Sequence, residues 1–244
     1  MRPPDGSVES AVEIRRARLL EGARSAEGVV VIIDVLRAFS VAAYAAALGA
    51  RPLVAVAHRD QALALKERHP QAVLSGEAGG WPLPGFDFGN SPGELLRAVA
   101  RGRSLRGRPF IQRTSSGTQG VTLATRARHV FAASLVNAPA TASAIRKLRP
   151  DVVTLVAMGV LGDVPAEEDE MCAEALETLL QGAEWSPHRL AGLAAGPRVG
   201  GILRGELPYL PAWDVGLCLA YGLFPFALRA RRAGDAVFLR PVWV

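Results

Sequence analysis

The sequence predicts an α/β protein built on a largely parallel sheet, with an antiparallel hairpin near its C-terminal end. Two observations carry this expectation. Short β-branched runs alternate with helix-favouring, Ala-rich segments along most of the chain, the rhythm of strands joined by crossover helices. After residue 225 the rhythm changes. Segments 226–232 and 236–242 flank Gly234-Asp235, the pattern of two strands turning back on each other.

Taken in order, residues 29–33 form a continuous apolar run, as a strand buried on both faces requires, and the run ends at Asp34. Residues 38–48 are Ala-rich and helix-favouring, and Gly49 stops them. A strand over 52–57 is followed by a helix over 60–69 that Pro70 closes. A short strand over 72–75 runs into a loop dense in Gly and Pro, residues 76–90. Ser91 caps the next helix, with Pro92 at its first position and Glu94 three residues after the cap, the spacing of a capping box. The rhythm then repeats: a strand over 110–113, the polar stretch Thr114-Ser115-Ser116-Gly117-Thr118 and a helix to about 127; a strand over 129–133, the turn 134–137 and a helix over 139–148; a strand over 152–157 and an acidic helix over 167–181. A division near residue 105 gives an N-terminal lobe, 1–105, and a C-terminal lobe, 106–244. The Arg-rich segment 9–24 reads as helix-like.

Composition narrows the class. Half of the 244 residues are apolar, enough for one large domain or two lobes with a real core. The net charge is +5, from 28 basic and 23 acidic residues, yet Lys66 and Lys147 are the only lysines. Arg-rich, Lys-poor composition reflects coding bias more often than a phosphate-binding surface. The longest basic cluster, residues 229–232, is broken by Ala230 and has no aromatic interleaving, so nucleic acid is not an expected partner. Cys172 and Cys218 form no CxxC pair, which argues against a disulfide scaffold and a Cys-based zinc site. The opening Met-Arg-Pro-Pro-Asp-Gly is not a signal peptide, and no apolar stretch reaches the ~20 residues needed to span a bilayer. The expectation is a cytoplasmic globular protein with no membrane partner, with a homodimer as an open alternative to a monomer.

In parallel α/β sheets, ligands bind beyond the carboxyl ends of the strands. Here the strands end in Asp34, in Ser75-Gly76-Glu77, in the 114–118 stretch, in Ser134 with Asn137, and in Gly159 leading to Glu168-Asp169. Acids, hydroxyls, an amide and glycines suit a magnesium ion together with a phosphate group: hard carboxylate oxygens for Mg²⁺, hydroxyls and backbone N–H groups for the anion. Asp34 is the sharpest single residue. It could ligate a metal or attack phosphorus, and it equally suits a helix N-cap. A haloacid-dehalogenase-type site would need an Asp at 36, where Leu stands.

The other segments also carry two readings. Gly117 would let backbone N–H groups approach an anion closely, although an ordinary capping turn looks the same. Without a Gly-Lys pair the stretch is not a P-loop. Glu77 and Asp87-Phe88-Gly89-Asn90 bracket a long loop, in which Asp87 and Asn90 also fit plain turn chemistry. The acid run 167–170 complements a helix dipole, leaving one or two of its members for function. His58, His69, His129 and His188 form no ligand pattern and suit surface or capping roles. No Gly-x-Ser-x-Gly elbow is present.

Together these segments resemble the 2-phosphosulfolactate phosphatase family. The blocks that carry the resemblance are Val-Val-Ile-Ile-Asp-Val-Leu-Arg-Ala at 30–38, Gly76-Glu77 with Pro-Gly-Phe-Asp-Phe-Gly-Asn-Ser-Pro at 84–92, and Thr114 to Thr118. Ala133-Ser134-Leu135-Val136-Asn137-Ala138, Gly159-Val160-Leu161-Gly162 with Glu168-Asp169, and Asp214-Val215 follow. They keep order and rough spacing from about residue 29 onward.

The resemblance implies a two-lobed, three-layer α/β/α fold with the site between the lobes. It also implies a Mg²⁺-dependent phosphatase acting on a small phosphorylated hydroxy acid, in the family's best-known pathway 2-phosphosulfolactate on the route to coenzyme M. By the same similarity Asp34, Glu77 and Asp169 are expected as metal ligands or catalytic acids. Arg37, Ser115, Gly117, Thr118, Ser134 and Asn137 are expected to bind phosphate or carboxylate. Arg37, Arg113 and Arg198 all stand open as partners of a sulfonate. The sequence departs from the pattern at Ser116, where the family's amide is lost, in the spacing of Glu168-Asp169, and in lacking the family's opening strand. Two alternatives accompany this reading: a phosphatase for a different small phospho-acid, and a non-catalytic small-anion binding protein on the same scaffold.

Overall fold

The structure, a computed structural model, describes residues 12–244. The strands are β1 (Glu13–Arg18), β2 (Gly28–Ile33), β3 (Leu53–Ala55), β4 (Val73–Ala78), β5 (Trp81–Pro82), β6 (Phe110–Arg113), β7 (Ala127–Ala133), β8 (Val152–Ala157), β9 (Phe226–Ala233) and β10 (Ala236–Trp243). The helices are α1 (Leu19–Ser25), α2 (Ala38–Ala47), α3 (Arg59–Arg68), α4 (Pro92–Ala100), α5 (Gly117–Leu123), α6 (Ala138–Arg146), α7 (Glu167–Leu180), α8 (Pro197–Leu203) and α9 (Ala212–Cys218).

All ten strands join one sheet in the order β1-β8-β2-β7-β9-β10-β3-β6-β4-β5. β1, β8, β2 and β7 pair in parallel, as do β3, β6 and β4, and the hairpin β9–β10 joins the two sets through antiparallel ladders. Helices cover both faces, so the sheet is the middle of three layers. β2 shows why its sequence is apolar throughout. Val30 and Ile32 enter the core under α2, α4 and α5, while Val29, Val31 and Ile33 enter the core under α6 and α7. A strand with no solvated face leaves no position for a polar side chain until it ends, at Asp34.

The two parallel sets run in opposite senses along the ladder, because three antiparallel pairings separate them. Residues from both sets nevertheless line one cleft.

Three expectations are corrected. The family's opening strand is present after all: residues 13–18 of the segment read as helix-like form β1, in parallel register with β8, and only Leu19–Ser25 is helical. Residues 9–11 of that segment, like the opening residues read for a signal peptide, lie outside the described residues. Tertiary partners override the local preference. The free edge of β8 offers a ladder, and Arg16 and Arg18 of β1 pair with Glu177 and Glu170 of α7 at 2.5 Å each. Second, the capping box at α4 is half made. The Ser91 hydroxyl accepts the Glu94 N–H at 3.1 Å, but the Glu94 carboxylate takes the N–H of Gly89 at 2.8 Å and so ties the preceding loop to the helix. Third, α5 stops at Leu123 and β7 begins at Ala127 rather than at His129.

The stretch 183–225, for which no regular element was expected, folds into short helices around Leu193, Val199, Ile202, Leu210 and Val215. It lies beside the carboxyl ends of the strands. Among the described residues no helix is long and apolar enough to cross a membrane.

Candidate active site

A small cleft of ≈ 70 Å³, open to solvent, is lined by residues from both parallel sets. Asp34 after β2, Gly159 after β8, Ser115 and Ser116 after β6 and Glu77 within β4 all line it, and Arg198 and Tyr209 close it from the 183–225 stretch.

Asp34 is held as a fixed acceptor. Its Oδ1 accepts the N–H of Ala38, at the start of α2, at 2.9 Å, and its Oδ2 accepts the N–H of Gly117, at the start of α5, at 2.8 Å. One carboxylate thus accepts the first N–H of two helices, whose N-cap positions themselves are Arg37 and Ser116, and it also lines the cleft. Burial, with the nearby charge of Glu77 adding to it, pushes its pKa up to about 6 against the pull of the N–H donors and Arg198. Asp169 stands behind it and does not line the cleft. Its oxygens accept the N–H of Val35 at 2.7 Å and of Gly159 at 2.8 Å, so it ties the loop after β2 to the loop after β8. Burial first, then the charges of Asp34 and Glu168, lift its pKa well above the usual carboxylate range.

Glu77 organises another part of the lining. Its Oε1 accepts the N–H of Ser115 at 2.5 Å, and its Oε2 accepts the Ser115 hydroxyl at 3.0 Å and the N–H of Gly80 at 2.7 Å. Gly76 beside it must lack a side chain, since a Cβ there would lie 2.0 Å from the carbonyl oxygen of Arg113. In the same loop Asp87 proves structural: it accepts the N–H of Leu74 at 2.9 Å and pairs with Arg103 at 2.5 Å. Asn90, for which turn chemistry was one of two readings, lines the cleft, with its Oδ1 accepting from Gln112 at 3.1 Å.

The expected residues divide into two groups. Asp34, Glu77, Arg37 and Ser115 line the cleft, and Gly117 touches it through Asp34. Thr118, Ser134 and Asn137 do not line it. Thr118 and Thr114 bond each other reciprocally and shape the loop between β6 and α5, through Thr114 N–H to Thr118 Oγ1 at 2.7 Å and Thr118 N–H to Thr114 Oγ1 at 3.1 Å. Asn137 Oδ1 accepts the N–H of Ser134 at 3.0 Å and closes the turn after β7, with both residues buried. Arg37 lines the cleft but is occupied, donating to Asp214 Oδ2 at 2.9 Å and to the Tyr209 carbonyl at 3.1 Å. Ser116, the position that departs from the family, also faces the cleft.

Glu168 and Asp214 were named in the sequence without a role of their own, and Tyr209 was not singled out. Glu168 is fully buried, its Oε1 accepting from Arg198 Nε at 2.8 Å. Asp214 accepts from Ser91 Oγ at 2.8 Å and from Gly93 N–H at 3.1 Å as well as from Arg37. The signal for Asp214 was present in the sequence, as an acid in an apolar helix, but its partners lie more than a hundred residues away.

Among the described residues no three Asp, Glu, His or Cys side chains converge closely enough to form an all-protein metal cage. The cleft still offers hard oxygens from two carboxylates, Asp34 and Glu77. That donor set fits Mg²⁺, which is commonly held by one or two carboxylates and completes its shell with water and substrate oxygens.

Fold and site together define a class: an α/β protein that gathers carboxylates, hydroxyls and two arginines around a small cleft beyond its strand ends. Residues 15–194 match the family model described as 2-phosphosulpholactate phosphatase, and the chain belongs to that family. A protein of Deinococcus radiodurans is 35% identical over 179 residues, 73% of this chain and 72% of the relative. One from Bacillus subtilis is 35% identical over 153 residues, 62% and 64% of the two chains, and one from Thermus thermophilus is 39% identical over 135 residues, 55% and 54%. Each is named as a probable 2-phosphosulfolactate phosphatase. The chain spans 64% of the length of the Bacillus relative and 50% of that of a Carboxydothermus hydrogenoformans relative. Arg198, Tyr209 and Asp214 lie beyond the stretch that the family model matches.

Proposed function

We propose that this chain is a Mg²⁺-dependent phosphatase that hydrolyses the phosphomonoester of a small hydroxy acid, with 2-phosphosulfolactate as the substrate and sulfolactate and phosphate as products. Membership of the family and the names of the relatives support the substrate class. The observation that carries the reading is that Asp34 and Glu77 both line one small cleft, each fixed by backbone N–H donors.

Asp34 and Glu77 would hold the ion. Bound there, Mg²⁺ supplies charge neutralisation at phosphoryl oxygens. The chain does the rest. N–H groups at the starts of α2 and α5 hold the Asp34 carboxylate in one orientation, so it need not reorganise as the phosphoryl group is transferred to water. Asp169 holds the two loops on either side of it at a fixed separation. The Ser116 hydroxyl and the Asn90 amide are the neutral polar groups placed to bind the substrate's remaining oxygens.

The test is release of inorganic phosphate from 2-phosphosulfolactate, 2-phospholactate and phosphoglycolate, with and without Mg²⁺, with Asp34→Asn as the control. Mg²⁺-dependent release that the variant loses is the expected result. A folded protein that releases phosphate from none of them with metal present overturns the reading in favour of a binding role.

A further inference from the structure

Three arginines are open in the sequence as holders of a second acidic group, and the structure separates them. Both terminal nitrogens of Arg37 are engaged, Nη1 by the buried Asp214 carboxylate and Nη2 by the Tyr209 carbonyl, and its side chain is only 5% exposed. Arg113 does not line the cleft: it spans two loops, donating to the carbonyls of Ala57 at 3.3 Å and Glu77 at 2.8 Å. Arg198 lines the cleft with its side chain 16% exposed. Its Nε donates to Glu168 at 2.8 Å, its Nη2 makes a long contact of 3.4 Å to the Leu36 carbonyl, and its Nη1 has no acceptor among the described residues.

Resting on the phosphatase reading, we propose that Arg198 determines specificity in this cleft. It binds the second acidic group of the substrate, a carboxylate or sulfonate, while the phosphate lies toward Asp34 and Glu77. The supporting argument is pre-organisation. The Glu168 side chain is 1% exposed and grips the Nε side of the guanidinium, so the Nη side is aimed without cost when the ligand arrives. A guanidinium edge matches two oxygens of one acid group, a geometry that an ammonium could not reproduce. Glu168 Oε2 is buried and has no partner among the described residues, so the Glu168–Arg198 pair is not a closed, self-satisfied ion pair. A substrate lacking the second acid leaves the exposed edge of Arg198 unmatched and is disfavoured by about 10²-fold.

The experiment compares 2-phospholactate with isopropyl phosphate, the same skeleton without the carboxylate, on the wild type and on variants. Removing Arg198 alone would strand a buried carboxylate and endanger the fold, so the main variant is the double change Arg198→Met with Glu168→Gln, and Arg198→Lys is the second. For the wild type the expected ratio of kcat/KM between the two esters is about 10² in favour of phospholactate, carried mainly by KM. The double variant should bring the ratio close to one by losing phospholactate and keeping isopropyl phosphate, and Arg198→Lys should bring it to an intermediate value. Calorimetric titration of the same two intact esters separates this assignment from the phosphatase reading. If the wild type turns over neither ester, that reading fails, while tighter binding of phospholactate that the variants lose still supports Arg198. A wild type with no preference, a ratio that the variants leave unchanged, or an equal loss of both esters overturns it.

Discussion

Gly117 donates its backbone N–H to Oδ2 of Asp34 across 2.8 Å, and a Cβ at residue 117 would lie 2.8 Å from that same oxygen and 2.7 Å from the Cβ of Ala38. The start of α5 is thus seated directly on the carboxylate that ends β2, and the contact allows no side chain. Gly117→Ala should push Asp34 out of register with the cleft. Because misplacement of a reacting group by about 1 Å can cost about 10²-fold, kcat should fall by that order while the protein still unfolds cooperatively. Steady-state kinetics beside a urea melt of the same variant check this.

Asp34 and Glu77 face the cleft together, and their removal should be felt in metal binding before it is felt in folding. Asp34→Asn and Glu77→Gln should each lower kcat by about 10³-fold, the order expected when an ion's charge stabilisation is lost. Mg²⁺ should raise the melting temperature of the wild type and leave both variants unmoved, since a ligand stabilises only what binds it. Melting curves in chelator and in millimolar-range Mg²⁺ make the comparison.

Burial lifts Asp34 from an ordinary 3.8 to about 6 and lifts Asp169 as well. A carboxyl group whose folded pKa exceeds its unfolded pKa destabilises the fold when ionised. Its penalty is absent below the unfolded value, grows between about 4 and 6, and is complete above the folded value. The contribution of these groups should therefore make metal-free protein gain stability as pH is lowered from 7 toward 5, with the gain diminished in Asp34→Asn. Activity should run the other way, rising as Asp34 ionises through pH about 6. Its acid limb should move to lower pH as Mg²⁺ is increased, because the ion favours the deprotonated ligand. Unfolding curves and pH–rate profiles at two metal concentrations test the two signs separately.

Arg37 and Asp214 form an ion pair that is buried on both sides, 5% and 1% exposed, and Asp214 also receives Ser91 and Gly93 at the start of α4. Breaking such a pair from one side leaves an uncompensated charge. Asp214→Ala should cost about 3–5 kcal/mol, and adding Arg37→Met should recover part of it. A urea denaturation cycle over the two single variants and the double variant measures this. A large coupling energy would mark Arg37 as the pin between α9 and the cleft floor.

Much of the framework was legible before any coordinates. The run at 29–33 demanded a strand buried on both faces, Gly234-Asp235 demanded a hairpin, and Ser91-Pro92 demanded a helix start; all three are present. That Asp34, Glu77 and Ser115 would line a cleft was legible because they stand at the ends of strands, where side chains leave the core for the ligand side. What misled was local preference. The segment at 13–18 is Arg-rich and helix-favouring, yet it pairs with β8 because the edge of that strand and two glutamates of α7 await it. Thr118 and Asn137 have the chemistry of anion binders, but their side-chain oxygens accept within the turns they sit in, and the Ser134 hydroxyl, buried and without a partner among the described residues, does not line the cleft.

The sequence by itself determined the class of fold, the strand ends at which chemistry could occur and the family to which the chain belongs. These depend on periodicity and on short motifs, which act over a few residues. Tertiary structure alone decided which of those strand ends share a cleft, and that Asp169 supports the site from behind. It also decided that Arg37 is paired with Asp214, 177 residues away, and that Arg198 keeps an open edge. The physical reason is that a charged side chain's availability depends on what compensates it. Its partners here arrive from distant segments only once the ten strands have found their order.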